Sequence, residues 1–200
     1  MQQQRPHRSP GLMGADIHRQ QRLLASVAFM GKGGSGKSTT CTNIAIVAAS
    51  AGLRVAIVDA DPQQSAFAWR GRRDTNDIAV ARYRLEHLEE ATERARLAGI
   101  DVLLIDMPPD LRRSVAAAHY ADLVLVPMRP TLFDAVVTRG IIAKLNSIGI
   151  PRGVLINAAP TKRLGYEAPM VRSTASIRRR GATSLEGADH PPAGSCACDG

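Results

Sequence analysis

Between residues 23 and 160, short aliphatic runs alternate with segments in which apolar residues recur every three or four positions. Leu23–Met30, Arg54–Asp59, Val102–Ile105, Leu123–Val126 and Val154–Ile156 carry Val, Ile, Leu and Ala on successive positions, which is the pattern of strands buried on both faces. Gly36–Ala51 is rich in Ala, Ile and Val and predicts a helix. Leu85–Ala98 places Leu85, Leu88, Ala91, Ala95 and Ala98 at helical spacing, with Glu and Arg between them. Strands of this kind interleaved with helices predict an α/β fold: a doubly wound, mainly parallel sheet with helices on both faces. In such sheets ligands bind beyond the carboxyl ends of the strands. No internal repeat is visible.

The flanks break the pattern. Residues 1–22 contain Gln2, Gln3, Gln4, two prolines and no apolar period, and they predict a flexible basic arm. After Arg172 no strand-like run is seen; Ser, Thr, Gly, Pro and Arg dominate. Residues 173–200 therefore read as an irregular, mobile tail. No apolar run approaches the length of a membrane span, and the first 25 residues show no hydrophobic region with a cleavage site.

Composition adds three constraints. Aromatics make up 4% of the 200 residues, so the core must be aliphatic. Cys41, Cys196 and Cys198 form no disulfide framework, which fits a reducing cytoplasm. The Cys196-Ala197-Cys198 spacing also offers too few ligands for a zinc or iron–sulfur site. The net charge of +8 is spread out: the arm holds four arginines against Asp16, residues 23–160 hold 16 basic and 13 acidic groups, and residues 161–200 hold six and four. Of the 26 basic residues, 22 are Arg. Arginine suits bidentate phosphate contacts, so the charge reads either as a solvated surface or as non-specific nucleic-acid affinity.

The strongest chemical signal is Met30-Gly31-Lys32-Gly33-Gly34-Ser35-Gly36-Lys37-Ser38-Thr39, placed after the first strand and opening the first helix. Glycine, four residues and then Gly-Lys-Ser is the phosphate-loop spacing. Gly33, Gly34 and Gly36 free the main chain to turn its N–H groups into one concavity. The helix N-terminus adds its positive end. Lys37 supplies a point charge for the β/γ oxygens, and Ser38 a hydroxyl for Mg²⁺. Val58-Asp59-Ala60-Asp61-Pro62-Gln63 then ends the second strand with two carboxylates, and Leu103-Leu104-Ile105-Asp106-Met107-Pro108-Pro109 ends a later one with a third.

Lys32, with the pattern Lys-Gly-Gly-x-Gly-Lys-Ser met from Lys32 to Ser38, makes the chain resemble the deviant Walker-A ATPases, the ParA and MinD group. Leu125-Val126-Pro127-Met128-Arg129-Pro130-Thr131, Leu155-Ile156-Asn157 and Asp59–Ala66 followed by Trp69 resemble the short partition ATPases that lack an N-terminal DNA-binding domain. The resemblance covers about residues 23–172, the expected ATPase domain. It implies ATP and Mg²⁺ as ligands, with nucleotide binding at Gly33, Gly34, Ser35, Gly36, Lys37, Ser38, Thr39 and Asn157, whose amide would face adenine. It implies metal contacts from Ser38, Asp59 and Asp106, and catalysis by Lys37, Asp61, Asp106 and Lys32. Asp61 would help to position the attacking water, and Lys32 would reach the nucleotide of the other subunit, as an arginine finger does.

The implied function is a slow, partner-stimulated ATPase that forms a homodimer on ATP binding. It would partition or position DNA in the cytoplasm, on the nucleoid, with a centromere-binding partner protein. Family members continue beyond this match with further secondary structure, so a diverged, truncated or frame-shifted end is expected here. The alternatives are a non-enzymatic nucleotide-binding adaptor acting with a homologue, and a MinD-like membrane positioner. The second lacks the apolar helix face it needs after Arg180, so no stable membrane anchor is expected. His119 and Tyr120 close a helix without a nucleophile nearby. Cys41 and Trp69 read as packing residues.

Overall fold

The computed structural model describes residues 25–158 and 183–185. The basic arm, the helix start at Gly165–Arg172, Arg178-Arg179-Arg180 and the Cys196/Cys198 pair lie outside the described residues.

Among the described residues, seven parallel strands form one sheet in the order β3-β2-β4-β1-β5-β6-β7. They are β1 (Ala25–Phe29), β2 (Val55–Asp59), β3 (Ile78–Arg82), β4 (Val102–Asp106), β5 (Leu123–Met128), β6 (Arg152–Ile156) and β7 (Thr183–Leu185). The helices are α1 (Lys37–Ser50), α2 (Ser65–Arg70), α3 (Leu88–Leu97), α4 (Leu111–Ala116) and α5 (Leu132–Ser147). This is the doubly wound α/β architecture that the alternation of apolar runs predicts.

The period of two along each strand divides the core. Leu103 and Ile105 of β4 join Ala28 and Met30, Val124, Val126 and Met128, and the inner faces of α3 and α5. Leu104 points to the other side, where Phe29, Ile57 and Leu125 meet Cys41 and Ala45 of α1 and Ala66 of α2. Both layers are mainly aliphatic, in keeping with the scarcity of aromatics. Cys41 is fully buried among them, and its thiol is pushed well up by burial, so it is an inert packing group. Trp69 packs against the same layer, with the Arg73 guanidinium over its ring.

Three elements differ from the sequence expectation. Leu85–Ala98 is not one helix: Leu85–His87 is a 3₁₀ turn leading into α3. β3 was not foreseen, because only Ile78 of its five residues is buried; an edge strand needs backbone pairing more than an apolar sequence. The third is a correction. The segment after Arg172 does contain a strand, since β7 pairs in parallel with β6 through Gly153↔Thr183, Val154↔Ser184 and Leu155↔Leu185. Three residues of backbone pairing at a sheet edge leave no hydropathy signature.

Leu104 and Leu97 provide a test of this layering, since Leu104 is fully buried at the sheet centre and Leu97 is largely exposed. Leu104→Ala should lower unfolding stability by about 2–5 kcal/mol, whereas Leu97→Ala should stay within about 0.5 kcal/mol. Urea denaturation of the two variants checks this.

Candidate functional site at the carboxyl ends of the strands

Strand register brings the separated motifs to one level. Asp106 at the end of β4 lies opposite Phe29 on β1 and opposite Asp59 on β2. The loop that follows β1 therefore starts beside both carboxylates. Met30 N donates to Leu125 O at 3.0 Å, which ties the loop's base to β5. Gly34 and Gly36 have φ values of +75° and +95°, conformations that L side chains rarely adopt. Gly36 is also the N-cap of α1. Gly33 differs from expectation. Its φ lies outside the left-handed region, and a Cβ there would meet open space, so the bend itself does not call for glycine at 33.

Lys37, the first residue of α1, is buried, and its ammonium reaches back to Lys32 O at 3.5 Å. Burial lowers its pKa, against the raising influence of Asp106 and Asp61. Asp59 is buried and accepts from Phe67 N at 2.9 Å and Asp61 N at 3.2 Å. Its carboxyl is pushed up by burial, which those bonds oppose. Asp61 is also buried and accepts from Gln63 N at 2.9 Å. Asp106 is fully buried, and neither of its oxygens has a hydrogen-bond partner among the described residues. Burial raises its pKa to about 6, a rise opposed by the Ser38 hydroxyl, which stops short of a hydrogen bond, and by Lys37, and increased by Asp59.

Two orphaned carboxylate oxygens facing a cation and a serine fit a site for hydrated Mg²⁺, which keeps several waters and needs only one or two carboxylates. Among the described residues no cluster of three His, Cys, Asp or Glu side chains forms a ready metal site. Ser38 and Asp106 could hold it, with Asp59 beside them. Ser35, by contrast, turns its hydroxyl inward, where it is buried without a partner and a Cβ on Gly31 would lie 3.0 Å from it. Thr39 is exposed at the helix start, and its carbonyl accepts from Thr42 Oγ1 at 3.1 Å.

Lys32 sits on the outer lip, its side chain half exposed, and its Nζ pairs with Asp134 Oδ1 at 3.1 Å. Asp134, in the first turn of α5, is buried and accepts from Arg129 N at 3.1 Å through its other oxygen. Thr131 caps the same helix by accepting Asp134 N at 3.2 Å. The Arg129 guanidinium lies 3.9 Å from where a Cβ on Gly34 would be. Sequence reasoning missed Asp134 and the placement of Arg129. The available signal was an N-cap threonine followed three residues later by a carboxylate, directly after a strand end. Asn157 follows β6, and its Nδ2 donates to Ser35 O at 3.1 Å. Beside the carboxylates opens a cleft of ≈ 790 Å³ lined by Asp59, Asp61, Gln64, Arg82, Arg84 and Arg113 among others; it was not foreseen either. His119 lies elsewhere, its Nδ1 bonded to Ala116 O at 2.8 Å.

A glycine loop with left-handed turns, a buried lysine at a helix start and an orphaned strand-end aspartate bring together the chemistry that a phosphate and a metal would require. Residues 27–164 match the CbiA family, the CobQ/CobB/MinD/ParA nucleotide binding domain. The chain belongs to this family. It is 32% identical over 162 residues to maintenance of carboxysome distribution protein A of Gloeobacter kilaueensis, covering 78% of this chain and 71% of that protein. It is 32% identical over 119 residues to protein ParA of Rhizobium radiobacter, covering 56% of this chain and 51% of that protein. It is 29% identical over 147 residues to the chromosome-partitioning ATPase Soj of Thermus thermophilus, covering 58% and 59%. Among solved structures the nucleotide-binding domain shares its fold with apo McdA of Cyanothece (TM-score 0.67, 16% identity, 82% of this chain and 85% of that one). It also shares it with MinD of Pyrococcus horikoshii in complex with Mg-ADP (TM-score 0.59, 17% identity, 70% and 73%). Among the described residues no helix is long and apolar enough to cross a membrane.

The buried carboxyl of Asp106 sets a sign for pH and mutation. Its folded-state pKa lies above the value of 3.8 expected of an unperturbed side chain. The folded, ligand-free protein therefore holds the proton more tightly than the unfolded chain, and its stability falls as pH rises from about 4 through about 6. Asp106→Asn removes that buried charge. It should raise the stability of the ligand-free protein at neutral pH by about 1–2 kcal/mol, with a flatter melting profile between pH 4 and pH 7. Thermal melts across that range, with and without Mg-ATP, check it.

Proposed function

We propose that this chain is a ParA-like ATPase of the deviant Walker-A type, which binds and hydrolyses Mg-ATP as a nucleotide-gated homodimer and partitions or positions DNA. The observation that carries the reading is the buried Lys37 ammonium at the start of α1, under a loop with left-handed turns at Gly34 and Gly36 and facing the unpaired carboxylate of Asp106. That arrangement suits a polyphosphate with a divalent cation and little else. The names of the relatives concern distribution of carboxysomes and partitioning of chromosomes, and both tasks fit an ATP-gated positioner. The active unit would be the ATPase domain at 23–172, flanked by the arm at 1–22 and the tail at 173–200.

In this reading the main-chain N–H groups from Gly33 to Gly36 cradle the phosphates, and Lys37 neutralises the β/γ oxygens. Ser38, Asp59, Asp106 and the exposed Thr39 line the metal and phosphate side. Bound Mg²⁺ supplies charge neutralisation of the transferred phosphoryl group. Asp61 orients the attacking water, and its buried position in the lining of the arginine-bearing cleft suits that task. Lys32, on the outer lip, acts across the dimer on the nucleotide of the second copy. Hydrolysis is slow and is stimulated by a centromere-binding partner protein. DNA is bound through its phosphates by the arginine-rich surface, on the nucleoid in the cytoplasm.

Two experiments test the proposal. Lys32→Ala should abolish ATP-dependent dimerisation and lower turnover at least about tenfold, while the ATP affinity of the monomer stays close to wild type. Light scattering, steady-state hydrolysis and nucleotide titration read the three quantities, and unchanged dimerisation and turnover would sink the trans role. In co-sedimentation, DNA should be retained with ATP and not with ADP or without nucleotide, and retention should weaken as salt rises. Equal retention in all states would reduce the DNA signal to general arginine charge.

A further inference from the structure

We propose that the edge of the sheet formed by α2, β3 and the turn after β3 is the surface on which this chain binds the DNA backbone, with Arg72 and Arg84 reaching phosphates; this deepens the DNA-positioning reading above and rests on it. Residues 23–160 carry 16 basic and 13 acidic groups. Residues 65–84, from the start of α2 to the turn after β3, hold five arginines (Arg70, Arg72, Arg73, Arg82 and Arg84) against Asp74 and Asp77. The rest of that range holds 11 groups of each sign, so this one edge carries the whole positive surplus. A surface with an excess of one sign attracts a polyanion, whereas a balanced surface of the same total charge density does not.

Pairing does not cancel the surplus. On α3, Arg94 meets Glu90 at 2.9 Å and Arg96 meets Glu93 at 3.4 Å, and Glu86 is taken by Arg113. On the α2–β3 edge Arg73 is answered in the same way, by Asp77 Oδ1 at 2.7 Å. Arg72 and Arg84 are exposed and make no side-chain hydrogen bond or ion pair among the described residues, so the planar fork of each is open to phosphate oxygens. Their neighbours hold the surface in shape. Arg82 Nη1 donates to Gln64 Oε1 at 3.0 Å, and its guanidinium lies 4.5 Å from the Phe67 ring centre. Arg73 lies over Trp69 at 4.8 Å, and Arg70 donates to Asn76 Oδ1. β3 is the last strand on its side of the sheet, and guarding such an edge against self-pairing can be done with charge of either sign. An excess of arginine alone fits a phosphate backbone better.

The same edge is tied to the nucleotide site. Phe67 N donates to Asp59 Oδ2 at 2.9 Å and Tyr83 N to Asp59 O at 3.1 Å. Gln64 N donates to Asp61 O at 2.9 Å. Movement of the Asp59–Asp61 turn therefore displaces α2 and the residue next to Arg84, which gives DNA affinity a direct route to depend on the bound nucleotide.

The test follows binding of a labelled DNA duplex to the full chain with Mg-ATP, by fluorescence anisotropy across a salt series. Wild type is compared with Arg72→Ala/Arg84→Ala, with Arg72→Lys/Arg84→Lys, and with Arg94→Ala/Arg96→Ala, which removes the same charge from α3. The alanine pair on the edge should weaken binding at least about tenfold and lower the slope of log affinity against log salt by about 2, equally on two unrelated duplex sequences. The lysine pair should restore the slope. The α3 pair should change affinity less than about twofold, because its charges lie away from the bound backbone and are screened. An edge pair no weaker than the α3 pair overturns the proposal, whether both bind like wild type or both weaken alike. A lysine pair that keeps the full loss of slope overturns it too, since the effect is then not one of charge. Wild type that binds no DNA in any nucleotide state overturns the DNA reading, and the inference falls with it; wild-type binding that survives the edge substitutions overturns the inference alone.

Discussion

Placing the carboxylate of Asp106 at the carboxyl end of a fully buried central strand is the constraint around which the site is organised. A buried anion without hydrogen bonds is costly, and Asp59, level with it on β2, adds like charge. What limits the cost lies above: Lys37 at the start of α1 and the hydroxyl of Ser38. Lys37 is in turn desolvated and is steadied by Asp106 and Asp61. The two charges justify one another: among the described residues Asp106 accepts no hydrogen bond, and Lys37 donates a long one, to Lys32 O at 3.5 Å. A fold that tolerates this offers a place where a polyphosphate and a cation would complete the electrostatics, and binding of such a ligand would add stability.

Register converts that local balance into a site. Because β4 lies between β1 and β2, and Phe29, Asp59 and Asp106 share one level, the three motifs converge without any long connection having to be placed accurately. The parallel sheet fixes their heights, and the helices fix only which way the chain departs. β5 and β6 complete the rim from the other side: the β5–α5 turn carries Arg129 and Asp134, and the end of β6 carries Asn157.

The phosphate loop and the Asp59, Asp61 and Asp106 strand ends were legible in the sequence, because their chemistry depends on residues adjacent in the chain and on strand ends that hydropathy marks. The alternating strands and helices were legible for the same reason. β3 and β7 were not, since edge pairing is satisfied by backbone groups and leaves side chains free to vary. Asp134 and the partner of Asn157 were not, because each contact joins residues more than 100 positions apart, and a lone Asp or Asn gives no sign of its partner. Gly33 teaches the reverse lesson. Its place in the motif invited a backbone explanation, and the backbone around it requires none.

The same reasoning bears on whether Lys32, held by Asp134 within one chain, is available to act elsewhere. Half of the lysine side chain is exposed, so solvent screening weakens its side of the pair. A phosphate carries more charge and offers more acceptors than one carboxylate oxygen, so charge-assisted bonds to it are the stronger alternative. Nor would departure of the lysine strand a buried anion, because Asp134 keeps the N–H of Arg129 on its other oxygen and lies in the first turn of α5, where the helix dipole favours negative charge. The contact therefore orders Lys32 at the lip without locking it there, and Asp134 is built to remain in place when the lysine leaves.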